Sequence, residues 1–400
     1  MAPNSSAQSL SVHEEPARWG VQEKPSSRST CRAQVVARDA PPFSVADIRA
    51  AIPTRCFEIS IVRSFSHLFH DLLFVGVAAF AATFIDSSSL PMWMRIVLWP
   101  IYWWFQGVFA TGVWVLAHEC GHRAFARSKL VNDVVGLILH SFLLVPYHAW
   151  RISHASHHAN TNSLERDEVF VPSHSFTPRP DGQPRPLSAP FRLANLVGQM
   201  VLGWPLYLLV NATGRPYPRW ANHFSPSSPI FRPSQSSLIL LSDVALVLVV
   251  SLLGWWAYTT SLTTVVCYYG IPYILVHHWL VLITQLQHTT RALPHYNDTE
   301  WTWLRGALAT VDRSYGSFYN HFFHHISDTH VVHHLFSRLP HYHAVEATKH
   351  VKFFLKGYYN EDHTFFYKAL WTIASDCVVA TPDQKGEGTV WFQDRKSKQL

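Results

Sequence analysis

Long apolar segments recur along this chain and are separated by polar segments of very different lengths. Four of them have the length and apolar character of membrane spans, at residues 68–85, 96–117, 238–258 and 265–287. Each is near the ~20 residues that a helix needs to cross ~30 Å of hydrocarbon. The connections within the two pairs, residues 86–95 and 259–264, allow only tight turns. The pattern therefore predicts four transmembrane helices arranged in two hairpins.

Three further segments have apolar positions at helical spacing. Each is either too short for a membrane span or interrupted by proline or polar residues. Residues 43–69 are interrupted at Pro53 and predict one or two amphipathic helices on the membrane surface. Residues 134–147 are short and contain His140, and residues 194–212 are interrupted by Asn195, Gln199 and Pro205. We expect both to be buried or interfacial helices, with spanning as an alternative for the second.

The ends of the chain and one internal segment lack apolar periodicity. Residues 1–42 are rich in Ser, Pro, Arg and Gln, which predicts a disordered tail without the apolar core of a secretory signal. Residues 172–190 are rich in proline and predict a surface loop. Residues 43–395 are expected to form one membrane-bound domain, followed by a short tail at 396–400.

Composition and charge agree with a membrane protein and give its orientation. Hydrophobic residues make up 48% of the chain and charged residues 14%, against ~25% charged in soluble domains. The net charge of +6 suggests contact with an anionic membrane leaflet rather than with nucleic acid. Residues 118–237 contain eleven Arg and Lys residues, whereas the two short connections contain only Arg95. The positive-inside rule therefore places both termini and the segments outside the hairpins in the cytosol.

Histidine is unusually frequent, with 26 copies, and eight of these fall into three clusters. The clusters are His118 and His122 in HECGH, His154, His157 and His158 in HASHH, and His330, His333 and His334 in HVVHH. Residues at i, i+3 and i+4 lie on one face of a helix, so each cluster presents its imidazoles in one direction. An even number of predicted crossings separates the clusters. We therefore expect all three to meet on the cytosolic side, where they could bind two metal ions.

Two other functions fit parts of this pattern. The first cluster also reads H-E-x-x-H, in which two histidines bind zinc and Glu119 would be the general base of a metalloprotease. A zinc hydrolase needs only one further ligand, which leaves the other clusters without a role. A metal transporter would instead place ionisable ligands near the bilayer midplane. Zinc has no redox chemistry, whereas imidazole-bound iron can activate O₂, so the three clusters favour a membrane oxidoreductase.

At these histidines the chain resembles the membrane-bound fatty-acid desaturases, in particular those of the fungal and plant Δ12 (oleate) type. The resemblance covers residues 43–395 and rests on WVLAHECGHRAF, GLILHSFLLVPYHAWRISHASHHANTNSLERDEVFVP, LPHYNDTEWTWLRGALATVDRSYG and HISDTHVVHHLFSRLPHYHAVEATKH. The predicted fold is an all-α integral membrane protein with four transmembrane helices in two hairpins. A cytosolic helical cap is expected to carry the three histidine boxes.

The resemblance also implies a metal centre and an electron donor. It implies two iron ions bound by His118, His122, His154, His157, His158, His330, His333 and His334, with His288 as a ninth ligand and His324 as the alternative to it. It further implies location in the endoplasmic reticulum and electrons from NADH through cytochrome b5 reductase and cytochrome b5. The haem motif H-P-G-G is absent from the sequence, so the cytochrome is expected to be a separate protein.

The residues that follow the second box are charged, and their role is left open. Glu165, Arg166, Asp167 and Glu168 are expected either to support the ligands or to face the electron donor, and a solvated charge cluster is the alternative.

The expected reaction removes two hydrogens from neighbouring methylenes of an oleoyl chain on phospholipid and gives a linoleoyl chain. A narrow tunnel would hold the acyl chain and set which carbons react. The ω3 desaturases, bifunctional Δ12/ω3 desaturases and fatty-acid hydroxylases share the histidine boxes and stay open as alternatives. The segments LERDEVFVP and LPHYNDTEWTWLRGALATVDR favour the Δ12 type.

Overall fold

The computed structural model describes residues 40–86, 89–172, 188–383 and 386–392. The predicted tails and the proline-rich loop therefore lie almost entirely outside the described residues. Within the described residues the chain forms fourteen α-helices: α1 (Val45–Ala51), α2 (Ile61–Thr83), α3 (Met92–His122), α4 (Lys129–Phe142), α5 (Tyr147–Asn160), α6 (Ala189–Val210), α7 (Ser236–Thr259), α8 (Leu262–Val265), α9 (Ile271–His288), α10 (Trp303–Leu308), α11 (Ser317–Phe322), α12 (His330–Leu335), α13 (His341–Leu355) and α14 (Phe366–Asp376).

The segment before the first long helix breaks at Pro53, as predicted. Helix α1 ends before this proline, and a short 3-10 helix, Thr54–Phe57, follows it. A capping box formed by Ser44 and Asp47 starts α1, which satisfies backbone N–H groups of its first turn. Helix α2 begins at Ile61, so residues 61–69 belong to a long apolar helix and not to a separate surface helix.

Five helical segments of the described chain are long and apolar enough to cross a membrane. Four of them, Ile61–Thr83, Met92–His122, Pro233–Thr259 and Leu262–His288, coincide with the predicted spans, except that the first ends at Thr83 and not at residue 85. The fifth is α6, which the sequence predicted to be buried or interfacial. Its interior proline, Pro205, does not end the helix. Length and composition thus confirm the four predicted segments but add a fifth to them.

The long helices pack closely around α3, which extends from the apolar region into the first histidine box. The approach of α3 to α9 requires a glycine, because a Cβ atom at Gly107 would lie 2.5 Å from Cβ of Leu275. The core between these helices contains Trp114, Trp279 and Phe323, which are all buried. This packing places the C-terminal ends of α3 and α9 next to each other.

Helices α4 and α5 form a sharply bent pair, with 107° between their axes. Tyr147 fixes the corner, because its ring covers Gly136 so closely that a Cβ there would lie 2.3 Å from the ring. The Tyr147 hydroxyl donates to the carbonyl of Asn132 at 3.1 Å. The bend turns α5 back across the end of α3, which brings the second histidine box to the first.

The expectation of an all-α protein is wrong in one respect, since the described chain also contains a small antiparallel sheet. Its strands are β1 (Pro294–Tyr296), β2 (Ala380–Asp383) and β3 (Gly386–Phe392), in the order β1-β3-β2. Tyr296 attaches the sheet to the chain after α5, because it exchanges backbone hydrogen bonds with Asn162 and Leu164 at 3.0 and 2.9 Å. Strands this short carry too few residues for an alternating pattern to show in the sequence.

Candidate metal centre

Four helices deliver nine histidines to one place. The last turn of α3 carries the first box, α5 carries the second and α12 carries the third, while His288 is the last residue of α9. Helix α3 stops at His122 because the next residue, Arg123, adopts a left-handed conformation with φ of 60°. All eight histidines of the predicted boxes, together with His288, are therefore brought together.

The nine histidines form two adjacent groups. In the first, one ring nitrogen of each residue lies within 4.8 Å of those of the others, and its members are His118, His122, His154, His158 and His333. The second group contains His157, His288 and His334, whose ring nitrogens lie within the same distance of one another. We include His330 in this group because its Nε2 lies 2.9 Å from Nε2 of His288. The groups touch where the rings of His158 and His334 stack, with 4.1 Å between centroids.

Contacts within the first group cannot all be hydrogen bonds. The Nε2 atoms of four rings form a row: His118 to His122 at 3.1 Å, His122 to His154 at 2.9 Å, and His154 to His158 at 3.2 Å. A neutral imidazole has a single N–H, and that N–H points to one acceptor. At most two of these three contacts can then be hydrogen bonds. A cation that accepts a lone pair from each nitrogen satisfies the whole row, so the residues fit a metal centre.

Hydrogen bonds to the outer ring nitrogens fix which nitrogen faces inward. His157 donates from Nδ1 to the Asp167 carboxylate at 2.6 Å, and His330 donates from Nδ1 to the carbonyl of Ile326 at 3.2 Å. The Thr161 hydroxyl donates to the His157 carbonyl at 2.8 Å and therefore accepts from Nδ1 of His334 at 3.1 Å. In each ring Nε2 keeps its lone pair for the centre, which is how proteins orient metal-binding histidines.

The ring nitrogens that face the centre of the cluster are buried, and some of them have no hydrogen-bond partner among the described residues. Nε2 of His333 and Nε2 of His334 have no hydrogen-bond partner among the described residues. Burial lowers the pKa of His330 to about 3 and holds the pKa of His333 and of His334 well below the usual value for histidine. These rings are therefore neutral at pH 7, which is the form that binds a metal ion.

A cavity of about 240 Å³ opens onto this cluster. Its walls come mainly from α3, α6 and α9, and include the side chains of Trp204, Leu280 and Ile283. Six of the nine histidines line it: His118, His154, His157, His288, His330 and His334. The arrangement places the open face of the histidine cluster at an apolar cavity, where an apolar substrate would be held against it.

The sequence as a whole is similar to known desaturases. The family described as Fatty acid desaturase matches residues 97–366. The chain belongs to this family. It is therefore an oxidoreductase that acts on fatty acyl chains, as the resemblance predicted, and neither the protease nor the transporter alternative is supported.

Several curated relatives are similar over most of their length. The Delta(12) fatty acid desaturase FAD2 of Calendula officinalis is 48% identical over 364 residues, covering 90% of this chain and 94% of the relative. The Delta(12)-fatty-acid desaturase of Arabidopsis thaliana is 48% identical over 358 residues, with coverages of 89% and 92%. The omega-6 fatty acid desaturase, endoplasmic reticulum isozyme 1, of Glycine max is 48% identical over 362 residues, with coverages of 89% and 91%.

Glu119 does not occupy the position that a zinc protease would need. Its side chain is buried and does not line the large cavity of the enzyme. Oε2 accepts a hydrogen bond from the backbone N–H of His341 at 3.1 Å, and Oε1 lies 3.6 Å from Nδ1 of His118. This carboxylate therefore stands behind the clustered histidines, away from the space where a substrate would bind.

Of the two histidines considered as the ninth ligand, the structure brings only His288 to the cluster. His324 lies elsewhere, with Nε2 at 2.6 Å from Oδ2 of Asp71. Sequence alone gave no local signal that separates them, because each stands outside the spacing of the boxes.

The four charged residues after the second box have different surroundings. Asp167 supports His157, whereas Glu168 is buried and accepts from the Tyr217 hydroxyl at 2.7 Å and from Arg215 at 3.0 Å. Arg166 pairs with a surface aspartate, and Glu165 is exposed.

A supporting residue that sequence analysis missed is Thr161, which lies four residues after His157 and so extends the same helical face.

Proposed function

We propose that the chain is a Δ12 desaturase that converts oleoyl chains of membrane phospholipid into linoleoyl chains. Relatives 48% identical to it over about nine-tenths of its length carry this activity in their names. Others are named as enzymes of the endoplasmic reticulum, which supports the same location for this chain. The observation that carries the proposal is the convergence of nine histidines, six of which line an apolar cavity.

Two iron ions are the proposed occupants of the histidine cluster. One would be held by His118, His122, His154, His158 and His333, and the other by His157, His288, His330 and His334. Bound iron supplies the activation of O₂ that removal of hydrogen from an unactivated methylene requires. The protein contributes fixed ligand orientation, through the acceptors that hold the outer nitrogens of His157 and His334.

The apolar cavity positions the acyl chain and excludes water. Side chains of α6 and α9 such as Trp204 and Leu280 surround the space next to the histidines. An acyl chain held there presents a fixed pair of methylenes to the metal centre. The reacting groups are then already in the right relative orientation, which lowers the barrier. Regiochemistry then depends on how far the chain enters the cavity.

The balance of the reaction requires an electron donor. Removing one hydrogen from each of two neighbouring carbons and reducing O₂ to two waters consumes two electrons and two protons. We propose that cytochrome b5 and its NADH-dependent reductase deliver the electrons. These partners are the ones that the family resemblance implies.

The proposed topology follows from the meeting of the histidine boxes. Three candidate spans lie between the second box and the third, namely α6, the helix that includes α7 and the helix that includes α9. Because both boxes contribute to one cluster, an even number of these segments crosses the membrane. We propose that the last two cross and that α6 lies within the membrane interface, with both termini and all three boxes on the cytosolic side.

The test is expression in a host that makes oleate but no polyunsaturated lipids, followed by double-bond mapping of the lipids. Linoleate alone supports the proposal. Linoleate together with α-linolenate shows a bifunctional enzyme. Activity only when linoleate is supplied identifies an ω3 desaturase, and a hydroxylated product identifies a hydroxylase. Each of the last two outcomes overturns the Δ12 assignment.

A further inference from the structure

A second cluster of histidines lies beyond Glu119, outside the nine-histidine centre. It consists of His67 on α2, His341 on α13, and His324 in the segment before α12, and one ring nitrogen of each lies within 4.8 Å of the others. Ring centroids are 4.7 Å apart for His67 and His341, 4.7 Å for His324 and His341, and 5.6 Å for His67 and His324.

This spacing is close to that of the main centre. There the centroids of His118 and His122 are 4.5 Å apart, and those of His118 and His154 are 4.9 Å apart. The three rings of the second cluster therefore stand about as near to one another as rings that share a metal ion.

A buried carboxylate holds the outer edge of one of these rings, and a second carboxylate lies near another. Oδ2 of Asp71, which is fully buried, lies 2.6 Å from Nε2 of His324. Oε2 of Glu119 lies 3.7 Å from Nδ1 of His341. A carboxylate on one ring nitrogen leaves the other nitrogen with a lone pair, which is the arrangement that supports metal-binding histidines.

The inner nitrogen of His341 is left without a partner. The residue is about nine-tenths buried, and its Nε2 has no hydrogen-bond partner among the described residues. Burial lowers the pKa of His341 to about 4, so the ring is neutral at pH 7. A neutral imidazole that is buried with an unsatisfied nitrogen needs an explanation, and a bound cation supplies one.

A separate small space lies beside these rings. The cavity has a volume of about 10 Å³ and is lined by Glu119, His324, His341 and the main-centre ligand His333. It is about the size of a single water or ion. Apolar side chains such as Val332, Phe336 and Leu339 form the rest of its lining, and His67 does not line it.

We propose that His67, His324 and His341 bind a third metal ion, a divalent transition ion such as zinc. Three histidines with an open fourth position form a known zinc donor set. The ion would join α2 to α13 and to the segment before α12, both of which are far from α2 in sequence. Its position behind Glu119 places it outside the reacting centre.

The experiment counts metal in the purified full-length protein. The protein is equilibrated with zinc, passed through gel filtration and analysed for iron and zinc together, because zinc can also occupy iron sites. We expect about one equivalent more metal per chain in the wild type than in His67→Asn or His341→Asn. His70→Asn is the matched control, since His70 lies on the same helix and contacts Asp71 but is not a member of the cluster.

Each outcome of this count decides the proposal. Loss of one equivalent in the two cluster variants, with the control unchanged, supports a third site. A wild type that holds two equivalents or fewer after exposure to zinc overturns it, whatever the variants do. Equal metal content in wild type and variants also overturns it. So does loss of metal from the main centre together with the third ion, because an independent site is lost alone.

Discussion

His157 reaches the Asp167 carboxylate through Nδ1, and the same carboxylate accepts backbone N–H groups from Asn162 and Val169. The distances are 2.6 Å for the imidazole, 2.8 Å for Asn162 and 3.0 Å for Val169. Asp167 therefore ties the second histidine box to the loop that follows it. One buried carboxylate sets both the ring orientation of a clustered histidine and the path of the chain beside the cavity.

Replacing Asp167 by Asn is expected to weaken metal binding about 10–100-fold without removing a ligand. The amide keeps the shape of the carboxylate but turns one acceptor into a donor, so it no longer satisfies all three N–H groups. The measurement is iron retained by purified protein during dialysis against a competing chelator. Asp298→Asn is the control, because Asp298 pairs with Arg166 on the surface. Equal retention in the two variants would contradict the role assigned to Asp167.

Alanine at any of the nine clustered histidines is expected to abolish desaturation while membrane insertion is kept. A lost ligand changes the charge and the open positions of a shared two-metal centre. The readout is linoleate formed per amount of membrane protein. Full activity in any two variants would overturn the ligand assignment.

Glu119→Gln is a contrasting change at the first box. Gln can still accept the backbone N–H of His341, which Oε2 of Glu119 accepts at 3.1 Å. We therefore expect a measurable fraction of linoleate formation to survive. A zinc protease would instead lose its general base and all of its activity. Complete loss in this variant, with normal protein level and metal content, would show that the carboxylate takes part in the reaction itself.

Leucine at Gly203 is expected to reduce desaturation of oleoyl chains by about 10-fold or more. Gly203 lines the large cavity, and a Cβ there would already stand 3.4 Å from Val281. A larger side chain must extend into the space for the acyl chain. Gly198→Leu on the same helix is the control, because a Cβ there meets nothing within 4 Å among the described residues. The ratio of linoleate to oleate is measured at equal protein levels, and equal ratios in the two variants would contradict this placement of the acyl chain.

Cysteine introduced at Ser261 should react with a membrane-impermeant reagent only from the lumenal side. Ser261 lies in the exposed connection between α7 and α8. Cysteine at Lys349, an exposed position of α13 near the third box, should react from the cytosolic side. Labelling is compared with the wild-type background of native cysteines. Reaction of both positions from one side would break the proposal that the α7–α9 pair crosses the membrane twice.

The histidine boxes could be predicted from the sequence because helical spacing is local. His154, His157 and His158 share a helix face wherever α5 lies. By contrast, His67, His324 and His341 come from three distant segments, and no spacing in the sequence links them. Only tertiary packing brings such single residues together.

Helix α6 was harder to predict because its polar residues have a role inside the protein. Gln199 interrupts the apolar pattern and lines the large cavity. A helix that supplies one wall of a cavity needs neither a uniformly apolar nor a regularly amphipathic sequence. The three short strands gave no usable pattern either, since β1 has only three residues.

The order of strands in the small sheet has a consequence for biosynthesis. Strand β3 lies between β1 and β2 and ends at Phe392, whose side chain lines the large cavity. At about 5–20 residues per second, roughly 5–20 s separate the synthesis of Pro294 from that of Phe392. During this time all nine clustered histidines come to be present in the nascent chain, while β1 lacks its pairing with β3 and the cavity lacks Phe392. The acyl-binding space is thus among the last parts of the molecule to be completed after translation of the membrane helices.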